Sequence, residues 1–187
     1  MEQLYYQIKV AGLTRNLQVC KINDDLSIAY FVLFGDVEMT VKAAEQLIKM
    51  APEHDILITA EAKGIPLIHE MARQSNQNFY IIVRKNKKIH MTDALSVDLK
   101  PITTHEMLNL FIDSTEASLM RGKRVLIVDD VISTGESLRA VEELVQKAGG
   151  QVVGKMAVLA EGDAKNRDDI IFLEALPLLN NDGTPKQ

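Results

Sequence analysis

The sequence has one cysteine, Cys20, and no tryptophan among its 187 residues. One thiol cannot form an intrachain disulfide or a thiolate metal cluster, and scarce cysteine is typical of a reducing compartment. No apolar run approaches the ~18 residues that a membrane-spanning helix needs. The first ten residues, MEQLYYQIKV, lack the basic-then-apolar pattern of a signal peptide. These absences predict a cytoplasmic protein without a membrane partner.

Basic side chains are in the minority as well. The 26 Asp and Glu residues outnumber the 21 Lys and Arg residues, and the formal net charge of -5 disfavours a surface that holds nucleic acid. This balance leaves room for a local basic pocket that binds a small anion. With 47% hydrophobic and 25% charged residues, the composition is that of an ordinary globular domain. The length fits one α/β domain, so we predict a single domain over residues 1–187.

From about residue 40 onward, short apolar runs alternate with patterns of helical period. Thr40 is predicted to cap a helix that Pro52 stops. Further helices are predicted after Gly64 and from Ser137, and buried strands over 55–60, 78–84, 124–130 and 151–160. This order predicts an α/β fold with a mainly parallel sheet and helices on both faces.

Two regions do not follow the alternation. Residues 1–35 carry apolar patches that predict a small appended lobe. The stretch from Lys85 to about Thr104 is polar and is predicted to be an irregular loop. Long loops of this kind inside a compact domain are usually functional or disordered.

The segment VLIVDDVISTGES, residues 125–137, carries the chemistry. It is predicted to place two adjacent carboxylates, Asp129 and Asp130, at the carboxyl end of a strand, where parallel sheets bind their ligands. Such a pair can accept hydrogen bonds from vicinal ribose hydroxyls, and the helix N-terminus that follows favours a phosphate. Gly135 lets the backbone approach closely. The predicted phosphate loop is Val131, Ile132, Ser133, Thr134, Gly135, Glu136 and Ser137.

Two other interpretations of this segment do not involve a bound sugar phosphate. A plain strand–turn–helix connection also uses Asp, Ser and Thr as caps, although the full combination is rarer there. A phosphoacceptor aspartate of the receiver type needs its acidic pair on an early strand and another Asp ending a later one. The order of elements predicted here does not supply that arrangement.

The same segment resembles the phosphoribosyl pyrophosphate (PRPP) signature of type I phosphoribosyltransferases, with a related form in the adenine and xanthine enzymes. Residues Glu61, Ala62, Lys63 and Gly64 are similar to the turn whose backbone amides hold pyrophosphate in that family. There the turn often contains a cis peptide, which in this chain would be Ala62–Lys63. The alternative for this segment is a glycine that simply packs before a helix.

A basic cluster follows the predicted strand at residues 78–84. Its members are Arg84, Lys85, Lys87 and Lys88. Lysine-rich runs are usually solvated loops, but the mouth of the sheet is where a pyrophosphate would need positive charge. In the adenine and xanthine enzymes an Arg-Lys pair at this place contacts pyrophosphate, partly across a dimer interface. The resemblance therefore implies pyrophosphate contacts for Arg84, Lys85 and Lys88, and a homodimer.

The resemblance implies an enzyme of purine salvage. It would transfer the phosphoribosyl group of PRPP to an adenine-like or xanthine-like base and release pyrophosphate, with Asp129 and Asp130 as the catalytic carboxylates. Mg²⁺ would be held mainly by PRPP, with the two aspartates contacting it through water. The hood that holds the base would comprise residues 1–35 and 161–180 around a core of about 36–160, and the loop from Lys85 to Thr104 is a candidate lid.

Two alternative functions share this fold. The first is a PRPP-sensing regulator without turnover, although the first ~50 residues show no helix-turn-helix pattern. The second is an orotate or pyrimidine enzyme, which the order and spacing of EAKG and RKNKK disfavour.

Overall fold

A computed structural model describes residues 3–89, 91, 93–99 and 108–186. The strands are β1 (Tyr5–Val10), β2 (Leu13–Asn23), β3 (Leu26–Tyr30), β4 (Ile56–Ala60), β5 (Ile81–Val83), β6 (Leu95–Leu99), β7 (Leu108–Ile112), β8 (Arg124–Ile132), β9 (Gln151–Glu161) and β10 (Ile171–Leu176). The α-helices are α1 (Val37–Met50), α2 (Ile65–Gln74), α3 (Ser114–Met120) and α4 (Glu136–Lys147), and a 3₁₀ turn spans Gly162–Asn166. None of the described helices combines the length and the apolar character that crossing a membrane requires.

The main sheet has the strand order β10-β9-β8-β4-β5, with every neighbouring pair parallel. Alternate residues of its strands enter two different cores because successive side chains point to opposite faces. In β8, Leu126 and Val128 join the core formed with α1 and α2, whereas Val125 and Ile127 join the core formed with α4. The predicted fold, a parallel sheet buried on both faces, is confirmed.

The N-terminal residues form a separate antiparallel sheet of strands β1, β2 and β3. Its buried side chains, such as Ile8 and Leu17, belong to the same core as α1. Ser27 of β3 exchanges two backbone hydrogen bonds of 2.8 Å with Leu179, so the end of the chain is joined to this sheet. The apolar patches of residues 1–35 therefore form a sheet of their own that packs on the core of α1.

Several predicted boundaries differ from the structure. The strand β10, Ile171–Leu176, pairs with β9 at the edge of the main sheet, although residues 161–180 were expected in the hood. The stretch after Lys85 was expected to be irregular, but Leu95–Leu99 pairs with Leu108–Ile112 as an antiparallel hairpin. The strand predicted over 78–84 is limited to Ile81–Val83. Within the candidate lid, His90, Thr92 and residues 100–104 lie outside the described residues.

The first helix begins earlier than predicted. Asp36, not Thr40, is the N-cap of α1, and its carboxylate accepts a hydrogen bond of 3.0 Å from the backbone N–H of Met39. Thr40 is buried one turn into the helix, where its hydroxyl donates to the backbone oxygen of Asp36. Arg15 of β2 contacts the Asp36 carboxylate through two nitrogens, at 2.6 and 3.0 Å. The cap therefore also joins the N-terminal sheet to the main body.

We expect Asp36→Ala to lower the free energy of unfolding by about 1–2 kcal/mol, because it removes both a helix cap and a two-point ion pair. Glu45→Ala is the matched control, since Glu45 is a carboxylate of the same helix that contacts only lysines at the surface. Its loss is expected to stay below about 0.5 kcal/mol. Urea unfolding measures both, and equal effects for the two variants would contradict this role of Asp36.

Candidate active site

Asp129 and Asp130 lie inside strand β8, which continues two residues beyond its predicted end at Asp130. The strand continues because Val131 and Ile132 keep pairing in register with Leu159 and Ala160 of β9. Asp130 is only 3% exposed, and Asp129 is half-buried. The two carboxylates are therefore part of the packed end of the sheet.

Few of the described groups around Asp129 and Asp130 compensate the negative charge of this acid pair. The carboxylate of Asp129 accepts a hydrogen bond of 2.9 Å from the backbone N–H of Asp130. Lys63 Nζ lies 3.7 Å from Asp130 Oδ2, and this oxygen accepts no hydrogen bond from the described residues. Burial raises the pKa of both carboxyl groups, and the charge of Asp130 raises the pKa of Asp129 further. A ligand that brings hydroxyl donors or a cation would relieve this desolvation.

The turn after β4 forms the wall opposite the acid pair. Its cis peptide joins Glu61 and Ala62, one residue before the Ala62–Lys63 bond that the resemblance implied. The Glu61 carboxylate accepts a hydrogen bond of 2.7 Å from the backbone N–H of Lys85, which ties this turn to the residue after β5. A Cβ atom at Gly64 would collide with the hydroxyl of Thr59 and lie 3.0 Å from Asp129 Oδ1. Glycine at position 64 therefore makes room for the acid pair.

The loop after β8 leads into a helix N-terminus that no side chain caps. Gly135 has φ +80°, a left-handed conformation that favours glycine, and α4 begins at Glu136 without a side-chain cap hydrogen bond. The first N–H groups of a helix have no partner within the helix, so they can bind an anion such as phosphate. Thr134 Oγ1 lies 3.5 Å from the backbone N of Glu136, at the limit of hydrogen-bond distance.

A single cavity of about 340 Å³ brings the three predicted segments together. Its walls include Glu61, Ala62 and Lys63 from the turn, Lys85 from the basic cluster, and every residue from Asp129 to Leu138. Gly64 packs behind this wall against Asp129. Arg84 and Lys88 do not line the cavity; the backbone of Arg84 instead pairs with Phe111 through two hydrogen bonds of 2.8 Å.

Some residues near the site have no motif in the sequence. Arg167 Nη1 occupies the place that a Cβ atom at Gly135 would take, so this side chain supports the phosphate loop from outside. Asp169 pairs with Arg167 at 2.8 Å and with Lys155 at 2.6 Å. Tyr30 of β3 faces Lys63 Nζ, 5.6 Å from the ring centroid. The site therefore draws on the N-terminal sheet and on residues far along the chain.

The chain is therefore an α/β protein with a cavity of acidic, hydroxyl and basic side chains at the carboxyl edge of its parallel sheet. Residues 38–181 match the family model described as "Phosphoribosyl transferase domain". The chain belongs to this family, and the predicted family is confirmed.

Known relatives are enzymes that act on purines. Adenine phosphoribosyltransferase of Petrotoga mobilis is 26% identical over 157 residues, which are 79% of this chain and 87% of that protein. Hypoxanthine/guanine phosphoribosyltransferase of Methanococcus voltae is 34% identical over 113 residues, covering 60% of this chain and 56% of the relative. Adenine phosphoribosyltransferase of Bifidobacterium longum is 34% identical over 119 residues, which are 63% of this chain and 58% of that protein.

Solved structures agree on the fold. The crystal structure of adenine phosphoribosyltransferase from Thermoanaerobacter pseudethanolicus has a TM-score of 0.65 at 21% identity, and the match covers 92% of this chain and 95% of that one. The enzyme from Saccharomyces cerevisiae, solved with an imino-altritol bisphosphate and adenine, has a TM-score of 0.60 at 17% identity and covers 91% and 92%.

Stability should fall as the pH rises because of the acid pair. A carboxyl whose pKa is raised in the folded state keeps its proton while the unfolded chain, with a pKa near 4, has lost it. Between about pH 4 and the raised value the folded state binds more protons, so each pH unit removes up to about 1.4 kcal/mol of unfolding free energy per such group.

Asp129→Asn with Asp130→Asn should remove this slope and raise the unfolding free energy at pH 8. Urea unfolding in metal-free buffer between pH 5 and 8 measures both effects. Asp55→Asn provides the contrast, because the Arg124 guanidinium holds the pKa of Asp55 well below its usual range and its loss should destabilise. An unchanged slope in the double variant would contradict the burial argument.

Proposed function

We propose that this protein transfers the 5-phosphoribosyl group of PRPP to a purine base, giving the nucleotide and pyrophosphate in purine salvage. The observation that carries the proposal is the single cavity lined by the acid pair, the phosphate loop, the Glu61–Lys63 turn and Lys85. The predicted enzyme class, a purine phosphoribosyltransferase, is confirmed by the family and by relatives named for adenine and for hypoxanthine and guanine. These relatives are enzymes of purine metabolism, and they give no support to the regulator or to a pyrimidine substrate.

The 5′-phosphate fits the loop from Val131 to Ser137. Its residues expose the uncapped N-terminus of α4, and Ser133, Thr134 and Ser137 add hydroxyl donors on the cavity wall. The macrodipole of α4 favours negative charge there. Glu136 also lines this cavity and lies in the first turn of the helix. We assign it a backbone contact with the phosphate, because a carboxylate directed at the phosphate would repel it.

The ribose fits against Asp129 and Asp130. Two ribose hydroxyls can donate to carboxylate oxygens, and Asp130 Oδ2 is a buried acceptor that receives no hydrogen bond from the described residues. As the bond to pyrophosphate breaks, the sugar gains positive charge. Nearby carboxylates stabilise that charge where water is excluded.

The pyrophosphate fits between Ala62, Lys63 and Lys85. Backbone N–H groups of the turn and two ammonium groups can neutralise the leaving group. Arg84 and Lys88, which lie off the wall of this cavity, remain predicted pyrophosphate contacts. We propose that they act in a homodimer, where the basic cluster of one subunit reaches the site of the other.

Mg²⁺ fits the donors on this wall. Carboxylate oxygens are the ligands that it prefers, and an under-compensated acid pair favours a nearby cation. No cluster of three or more metal-binding side chains occurs in the described part of the chain, so most ligands would come from the substrate and water. Asp129 and Asp130 would hold the ion through water, where it would neutralise pyrophosphate oxygens.

The residues mainly position the reactants and exclude water. The phosphate loop fixes one end of PRPP and the turn with Lys85 fixes the other, so the ribose carbon is held in line with the incoming base. We also propose that the protein works in the cytoplasm, where PRPP and free purines occur.

The proposed homodimer is tested by its mass. Light scattering of an active preparation at micromolar concentration should give twice the chain mass of 20.9 kDa. A monomer would contradict the shared site.

The activity is tested by incubating the protein with PRPP, Mg²⁺ and single purine bases while measuring pyrophosphate and nucleotide. We expect equal amounts of both products with at least one base. The variant with Asp129→Asn and Asp130→Asn should fold and lose at least 100-fold in kcat/KM, because the developing charge loses its partners. Asp24→Asn with Asp25→Asn is the matched control, an adjacent acid pair exposed in the turn after β2. Near-normal turnover of the first variant would contradict the assignment.

Thr134→Val tests the phosphate loop. It removes a hydroxyl donor on the cavity wall while keeping the shape of the side chain, so we expect the Kd for PRPP to rise at least tenfold. Thr14→Val is the control, because Thr14 is exposed on β2 away from this cavity. Calorimetry with PRPP and Mg²⁺ in the absence of a base gives the affinity without turnover. Equal affinities for the two variants would argue against a phosphate at this loop.

A further inference from the structure

A second cavity of about 120 Å³ adjoins the first. The two share Lys63, Val131 and Ser133 as lining residues, so they are separated by less than one side chain. The remaining walls come from β3, from the residue that follows it and from the carboxyl ends of β9 and β10: Ile28, Ala29, Tyr30, Phe31, Glu161 and Leu176. The N-terminal sheet therefore closes this cavity over the edge of the main sheet.

The lining suits a flat heteroaromatic ring. Tyr30 and Phe31 offer aromatic surface, and Ile28, Ala29 and Leu176 offer apolar surface. Such rings bind in apolar pockets where a few polar groups fix their orientation. If PRPP occupies the first cavity as proposed, its ribose carbon faces the shared wall, and the base to be joined lies beyond that wall.

Glu161 is the acidic side chain of this lining. It is half-buried at the last position of β9, and no described residue forms a hydrogen bond or an ion pair with its carboxyl group. Burial raises the pKa of Glu161, and the charge of Lys63 partly opposes this shift. A partly desolvated carboxyl group gains from a hydrogen-bond donor, so the cavity favours a ligand that brings an N–H group to it.

Lys63 is the basic side chain of the same lining, and it has other partners. Its ammonium lies 3.7 Å from Asp130 Oδ2 and 5.6 Å from the centre of the Tyr30 ring. It is therefore held between the acid pair and the aromatic wall. The carboxyl group of Glu161 has no such partner among the described residues, so it is available to the edge of a ring in this cavity.

We propose that Glu161 accepts a hydrogen bond from an exocyclic amino group of the base, and so selects aminopurines over purines that carry a carbonyl at the same ring position. This inference rests on the proposed transferase function. An amino group can donate a hydrogen bond to the carboxylate. A carbonyl oxygen cannot, because it and the carboxylate oxygen are both acceptors. Sites built around such a hydrogen bond discriminate strongly, because the wrong ligand leaves a buried polar group unpaired.

Two matched pairs of bases test the selection. Adenine and hypoxanthine differ by an amino group or a carbonyl at position 6, and guanine and xanthine differ in the same way at position 2. We expect kcat/KM of the wild-type protein to favour the amino member at least tenfold in the pair whose edge meets Glu161. A preference for the carbonyl member in both pairs, or no preference in either, would overturn the inference.

The variant Glu161→Gln distinguishes a role of Glu161 in base selection from a structural role. The amide keeps the size of the side chain but can donate as well as accept, so the preference should shrink at least fivefold while the KM for PRPP stays unchanged. A merely structural role would lower kcat/KM for all four bases together and leave the ratios as they were, which would overturn the inference. Glu174→Gln, an exposed glutamate of β10 outside both cavities, should leave every ratio unchanged.

The failure of the two proposals can be told apart. Transfer with unaltered ratios in Glu161→Gln contradicts the role of Glu161 alone. The absence of transfer to all four bases by the wild-type protein contradicts the proposed function, and with it the inference. If Glu161→Gln does not fold, the preference of the wild-type protein within each pair still decides the outcome.

Discussion

The site depends on the burial of two adjacent carboxylates at the carboxyl end of the central strand β8. Asp130 is almost inaccessible, and the described residues give its inner oxygen no hydrogen bond. Two like charges in such a place raise the free energy of the folded protein. Under the proposed function, the hydroxyl donors of a sugar and its cation would compensate this charge. Burial of the acid pair therefore lowers the free energy of unfolding at the place where the proposed ligand would bind.

The parallel sheet explains why distant segments meet at this pair. The carboxyl ends of β4, β5 and β8 lie at one edge, so the turn at Glu61–Gly64, Lys85 and the phosphate loop face a common cavity. Gly64 lets the turn at Glu61–Gly64 lie close to the acid pair, because a Cβ atom at position 64 would collide with Thr59 and contact Asp129. The N-terminal sheet closes a neighbouring cavity through Tyr30 and Phe31. The two cavities therefore share Lys63, Val131 and Ser133 but differ in their other walls, since only the second has aromatic side chains in its lining.

Local patterns in the sequence predicted most of the main sheet and the three segments of the cavity, because strand, turn and helix signals act over a few residues. The cap of α1 was misplaced because Asp36 and Thr40 are both capping residues, and only the contact with Arg15 favours the former. Helix α3 was not predicted, although Asp113 and Glu116 form a capping box that could have indicated it. Glu161 and Arg167 belong to no motif, since their roles arise from contacts between distant segments.

The most direct test is thermal unfolding with and without Mg²⁺ and PRPP, for the wild-type protein and for Asp129→Asn with Asp130→Asn. Without ligand, the variant should melt at a higher temperature than the wild type at pH 8, because it no longer buries the acid pair. PRPP with Mg²⁺ should raise the Tm of the wild type and leave that of the variant nearly unchanged, since a ligand stabilises the state that it binds. A variant that melts lower without ligand, or that gains as much as the wild type from PRPP, would contradict the account.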